Sequence, residues 1–129
     1  MNRRKFFSIS ATALTALAST TLVKAKTAGG VKLTVLYGHP KSPEDFEKYY
    51  AETHMPLVTV VKGLRKYETS KVMPKKDGTA PAFYRMFEAW FDSPEHMAAV
   101  TSTPEWQKVG ADLPNFASGG ITSLVSRVE

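Results

Sequence analysis

The chain has 129 residues, 43% hydrophobic and 22% charged, which suits one soluble globular domain with a single core. It has no cysteine, which excludes disulfides, thiol nucleophiles and thiolate metal sites. The net charge of +5 does not argue for nucleic acid: residues 1–25 hold Arg3, Arg4, Lys5 and Lys24 and no acid, and the remaining 13 basic and 12 acidic residues balance to +1.

Arg3, Arg4 and Lys5 form a charged start, followed by Phe6 and Phe7 and by an uncharged run over 9–23 rich in Ala, Thr and Leu. Val23-Lys24-Ala25 then offers small or aliphatic residues where a signal peptidase reads. Residues 1–25 are expected to be a signal peptide. The paired arginines resemble the twin-arginine type, so the translocase of that route is the expected transient partner and the periplasm or the exterior the expected destination. The apolar run is shorter than the roughly 20 residues needed to span a bilayer, so a stable membrane anchor is not expected. Residues 26–30 read as a flexible start and 31–129 as the domain.

From Val31 the pattern has period two: Val31, Leu33, Val35 and Tyr37 share one face of a strand that ends at Gly38-His39-Pro40. Ser42-Pro43-Glu44-Asp45 then has the form of a helix start, with a capping serine, a proline suited to the first turn and acids at the positive end. Phe46, Tyr49, Tyr50 and Thr53 follow as the inward stripe, while Glu44, Lys48 and Glu52 form a solvated ladder. Pro56 predicts that the helix ends or kinks near His54, with a further short turn over 57–61 closed by Lys62-Gly63.

A second strand is expected over 64–72, a polar hairpin turn over 74–81, and a third strand over 82–91. In that strand Phe83, Arg85, Phe87, Ala89 and Phe91 fall on one face and Tyr84, Met86, Glu88 and Trp90 on the other, so both faces need covering. Ser93-Pro94-Glu95 repeats the first helix start 51 positions later, Thr103-Pro104-Glu105 opens another helical segment carrying Trp106 and Val109, and 121–128 alternates as a last strand. Two βαβ halves predict an α+β, ferredoxin-like βαββαβ sandwich, a four-stranded antiparallel sheet with its helices on one face. The bare sheet face would be hidden by a second copy, giving a homodimeric α/β barrel.

The run over 31–37, the helix end Tyr49-Tyr50-Ala51-Glu52-Thr53-His54-Met55-Pro56-Leu57, the segment Gly63-Leu64-Arg65-Lys66-Tyr67-Glu68 and the later Ser93-Pro94-Glu95 and Thr103-Pro104-Glu105-Trp106 resemble the EthD family over nearly all of 31–129. The resemblance implies the dimeric α/β-barrel superfamily, which also holds small cofactor-free monooxygenases, muconolactone isomerase and some haem enzymes. EthD itself is named from ether-degradation gene clusters, where it accompanies a cytochrome P450 system without an established reaction. An export signal departs from a family that is typically cytoplasmic.

His54 is the leading catalytic candidate. It lies four positions after Tyr50, so the two can meet on one helical face, with an imidazole to exchange protons and a phenol to orient a substrate oxygen. The competing role for His54 is to complement the negative end of its helix. Tyr49, Tyr84, Glu88 and Trp90 are the candidate substrate-binding residues, Glu88 needing a partner such as Arg65, Arg85 or a tyrosine if buried. The three histidines stand 15 and 42 positions apart without ligand spacing, so no metal is expected. No Gly-x-Gly-x-x-Gly, phosphate loop or Gly-x-Ser-x-Gly occurs, and no cofactor is expected. The expected function is a small cofactor-free enzyme of oxidoreductase or isomerase type acting on an apolar, oxygen-bearing small molecule. The alternative is a non-catalytic binding or accessory protein for a hydrophobic compound.

Overall fold

The computed structural model describes residues 30–129; the expected signal peptide lies outside the described residues. Strands β1 (Val31–Tyr37), β2 (Lys66–Lys71), β3 (Arg85–Phe91) and β4 (Ile121–Arg127) form one antiparallel sheet in the order β2-β3-β1-β4. β1 and β3 are central, in the register Leu33 to Ala89 and Val35 to Phe87. Val31, Leu33, Tyr37, Phe87, Ala89 and Phe91 are buried beneath the helices, as alternation requires of one face of a half-covered sheet. The expected ferredoxin-like sandwich is therefore present. Among the described residues no helix is long and apolar enough to cross a membrane.

Both Ser-Pro-Glu sites start helices. The Ser42 hydroxyl accepts from Asp45 N–H at 3.3 Å ahead of α1 (Pro43–Tyr49), and Ser93 accepts from His96 N–H at 3.0 Å ahead of α3 (Pro94–Thr101). Thr103 does the same for α4 (Pro104–Asp112), accepting from Trp106 N–H at 3.3 Å. Each serves an end whose amides have no partner within the helix.

Of the two outcomes expected near His54, an end or a kink, the helix does not end: α1 passes into a π turn (Tyr50–His54) and then into α2 (Met55–Thr59), with Pro56 in the first turn of α2. Met55 N–H donates to the Tyr50 carbonyl, five residues back, and this wider turn absorbs the break in the hydrogen-bond ladder that a proline imposes. It also changes which side chains point inward. In a regular helix residues four apart drift round the axis by about 40° per step; the wider turn reverses that drift once, so Phe46, Tyr50, His54 and Val58 are all buried at four-residue intervals. Thr53, expected on the inward stripe, is exposed, and His54 takes its place.

The third strand also departs from expectation. β3 starts at Arg85, and Tyr84 does not share a face with Met86, Glu88 and Trp90. Tyr37 pairs with Arg85 yet its carbonyl accepts from Tyr84 N–H at 2.7 Å, so two residues stand opposite one, the arrangement of a β-bulge. As a result Tyr84 and Arg85 both reach Glu47 of α1, at 2.6 Å each.

The far sheet face carries no helix. Lys32 pairs with Glu88 at 2.9 Å, and the ammonium groups of Lys32 and Lys66 stand 5.6 and 4.6 Å from the Trp90 ring. Leu124, on the same face, is 53% exposed.

Candidate functional site

The site is built on the row of inward residues in the first helix. His54 is 3% exposed, packed between the Tyr50 ring at 5.6 Å and the Phe116 ring at 4.5 Å. Its Nδ1 lies 2.9 Å from Asp112 Oδ2. Asp112, the last residue of α4, is itself buried, and its Oδ1 accepts from Tyr49 Oη at 2.6 Å and from Asn115 Nδ2 at 3.0 Å.

A carboxylate at the C-terminal end of a helix meets the negative pole of the helix dipole and is disfavoured there. Burial also acts to raise the Asp112 pKa. The hydrogen bonds from Tyr49, Asn115 and His54 outweigh both effects and hold the group below the ordinary aspartate value, so it is an anion at neutral pH. An ionised carboxylate only accepts, so Nδ1 of His54 carries the proton and Nε2 presents its lone pair. Burial lowers the His54 pKa, against the hydrogen bond and charge of Asp112, so the resting imidazole is neutral.

His54 borders a cavity of about 290 Å³ between the sheet and the helices. Leu33 and Val35 of β1, Phe87 of β3, Val58 of α2, and Met97 and Trp106 of the second half supply apolar walls, and no Lys, Arg, Asp or Glu side chain lines it. Its other polar contributors are Tyr37, Thr101 and Ser123, and the Thr101 hydroxyl already donates to the Met97 carbonyl at 2.8 Å. β4 forms one edge of the cavity, where Ile121 is 42% exposed. Nε2 of His54 has no hydrogen-bond partner among the described residues, and it is the nitrogen left for a ligand.

The residues singled out from the sequence divide into three groups. His54, Tyr50 and Tyr49 come together, though not as expected: Tyr50 stacks on the imidazole, and Tyr49 reaches it only through Asp112. The Tyr50 hydroxyl is buried without a hydrogen-bond partner, Tyr50 is not one of the residues lining the cavity, and the Arg85 guanidinium sits 4.6 Å from its ring. Burial pushes its pKa up to about 12 against the pull of Arg85. Tyr84 is held at Glu47, where burial and that carboxylate raise its pKa to about 12. Glu88 and Trp90 lie on the far sheet face and not at the cavity, because strand alternation sends them away from Phe87 and Ala89. The partner of Glu88 is Lys32; Arg65 is taken by Asp92 and Arg85 by Glu47.

Asp112 was missed by sequence reasoning. Its signal was an acid three positions after Val109 on the inward side of an amphipathic helix. Among the described residues no group of three or more His, Cys, Asp or Glu side chains is placed to hold a metal ion.

The EthD domain model matches residues 39–120. An uncharacterized 11.0 kDa protein in the thcB-thcC intergenic region of Rhodococcus erythropolis is 33% identical over 98 residues, covering 76% of this chain and 94% of that protein. The crystal structure of an EthD family protein from Bacillus halodurans superposes with a TM-score of 0.72 at 29% identity, covering 78% of this chain and 99% of that one. Two more distant structures share the fold. A dimeric protein of unknown function from Bacteroides fragilis has a TM-score of 0.57 at 17% identity, over 78% of this chain and 98% of its own. A hydroxynitrile lyase from Passiflora edulis has 0.63 at 14% identity, over 78% of this chain and 94% of its own. With its model matched over more than half of the chain, this protein belongs to the EthD family.

Proposed function

We propose that this EthD-family protein is exported and binds a neutral, apolar, oxygen-bearing small molecule against Nε2 of His54, where the Asp112–His54 pair moves a proton. The observation that carries the reading is a neutral imidazole, fixed through Nδ1 by a buried carboxylate, at the wall of a cavity with no other ionisable group besides the Tyr37 phenol. Nε2 accepts a proton from a ligand hydroxyl or from a carbon acidified by a neighbouring carbonyl. Asp112 stabilises the imidazolium that forms, and the same proton returns to the ligand at another position, an isomerase-type transfer that balances within this chain's own groups. The lyase of the same fold supports the view that this architecture can house catalysis on a small oxygenated molecule.

The far sheet face, with Leu124 half exposed and Trp90 flanked by lysines, is proposed to meet a second copy, a reading supported by the dimeric protein of the same fold. Export rests on the leader sequence, and replacing Arg3 and Arg4 with lysines is expected to stop it.

One observation favours a non-catalytic carrier instead. Beyond His54, the cavity offers few groups to stabilise charge on a reacting ligand, since the Thr101 hydroxyl is already committed to backbone. The two readings separate when the purified protein is screened with aromatic and quinone-like compounds beside His54→Ala. Turnover lost in the variant supports the enzyme, turnover retained removes His54 from the mechanism, and binding without turnover identifies the carrier.

A further inference from the structure

Trp106, Val109 and Gly110 of α4 and Leu113 just after it all line the cavity, with Gly110 at its exposed rim. Three are large and apolar, as an inward helical position demands. The fourth is glycine. Nothing in the backbone calls for it: Gly110 does not have positive φ, and glycine inside a helix is destabilising relative to alanine. Nor does packing require it, because a Cβ built at Gly110 meets no atom within 4 Å.

Beside this exposed glycine lies a second hollow of about 330 Å³, lined by Gly110, Leu113, Pro114, Ala117, Gly120 and Ile121. It shares Gly110, Leu113 and Ile121 with the inner cavity, so the two spaces adjoin at the glycine. No charged side chain lines the outer hollow.

We propose that Gly110 is a specificity-determining position: the missing side chain lets the apolar end of an elongated ligand pass from the His54 cavity into the outer hollow. The ligand class is a neutral molecule with one hydroxyl or acidified carbon at its head and an unbranched apolar tail. This inference rests on the reading of His54 as the anchor for the head, and it adds a length preference that the anchor alone does not give.

The test is a titration of the full-length protein with 4-methylphenol, 4-propylphenol and 4-heptylphenol, read by tryptophan fluorescence, since Trp106 lines the cavity. Each methylene buried in the hollow is expected to tighten binding about fourfold. Gly110→Leu is expected to weaken 4-heptylphenol at least tenfold while leaving 4-methylphenol within about twofold. Gly110→Ala is the folded control: its methyl group meets nothing, and it is expected to raise the melting temperature. If Gly110→Leu does not fold, Gly110→Val serves in its place. A variant that binds all three phenols like the parent, or loses all three equally, overturns the proposal. His54→Ala separates the two readings: a uniform loss across the series supports the anchor, and unchanged binding sinks the anchor while the length dependence at Gly110 is judged on its own. If none of the three phenols binds the parent protein, both readings fall.

Discussion

Replacing Asp112 with asparagine tests the His54 arrangement with almost no change of shape. The amide oxygen can still accept from His54 Nδ1, while the amide nitrogen faces Tyr49, whose hydroxyl can turn to accept, and Asn115, whose amide donor loses its acceptor. Three hydrogen bonds to an anion are weakened or lost. A hydrogen bond to a charged group contributes about 1.5–3 kcal/mol and a neutral one about 0.5–1.5, so the exchange costs roughly 1–1.5 kcal/mol at each, about 3–4.5 kcal/mol together. Removing an anion from the C-terminal end of α4 returns about 0.3–1 kcal/mol. The net loss is then about 2–4 kcal/mol, a fall in melting temperature of at least roughly 8 °C for a domain of this size.

The imidazole is affected as well as the fold. Burial of His54 is unchanged, whereas both contributions that raise its pKa, the hydrogen bond and the charge of Asp112, are weakened or gone. Its pKa, already below 6.5, is expected to fall further, and Nε2 becomes a weaker base. Histidine titration by NMR checks this, with His39→Gln and His96→Gln assigning the three resonances. A His54 pKa that stays put or rises in Asp112→Asn would falsify the account of the pair. A melting temperature lowered by much less than about 8 °C would mean that the three hydrogen bonds to Asp112 contribute less than its charge implies.

Tyr50→Phe is expected to keep or raise stability, since a buried hydroxyl without a partner carries a penalty of about 1–3 kcal/mol; a clear loss in thermal denaturation would reveal a partner for that hydroxyl. Acid sensitivity has a defined direction. The native His54 takes its proton at lower pH than the unfolded chain, so stability is expected to fall as pH drops below about 6.5, and Asp112, held below 3.8, adds a further loss below about pH 4. His54→Gln should flatten the upper part of that profile in urea titrations, and an unchanged slope there would contradict the burial argument. Leu124→Asp is expected to convert a dimer to a monomer by light scattering, and a parent protein already monomeric at micromolar concentration refutes the proposed barrel.

The fold was legible because its signals are local. Two Ser-Pro-Glu starts cap their helices through hydrogen bonds that span three residues, and β3 alternates in burial as a sheet covered on one face must. The site was less legible because its key contacts are not local. Asp112 and His54 are 58 positions apart, and no periodicity links them. Tyr84 was assigned the wrong face because a bulge adds a residue opposite Tyr37, and strict alternation has no way to register it. At Pro56 the missing amide predicts an end or a kink, and the chain widens one turn and continues. In each case counting by a fixed period failed where the backbone changes its own period.

The widened turn and Pro56 depend on one another. Removing a single residue from the exposed stretch Ala51-Glu52-Thr53 would let the turn close to an ordinary helical one and leave Tyr50 and His54 three residues apart, still on one helical face. It would also leave the proline inside a continuous helix, at a cost of about 3 kcal/mol. Such a deletion, made entirely among solvated side chains, would strain the backbone at the proline before it moved the imidazole away from the carboxylate.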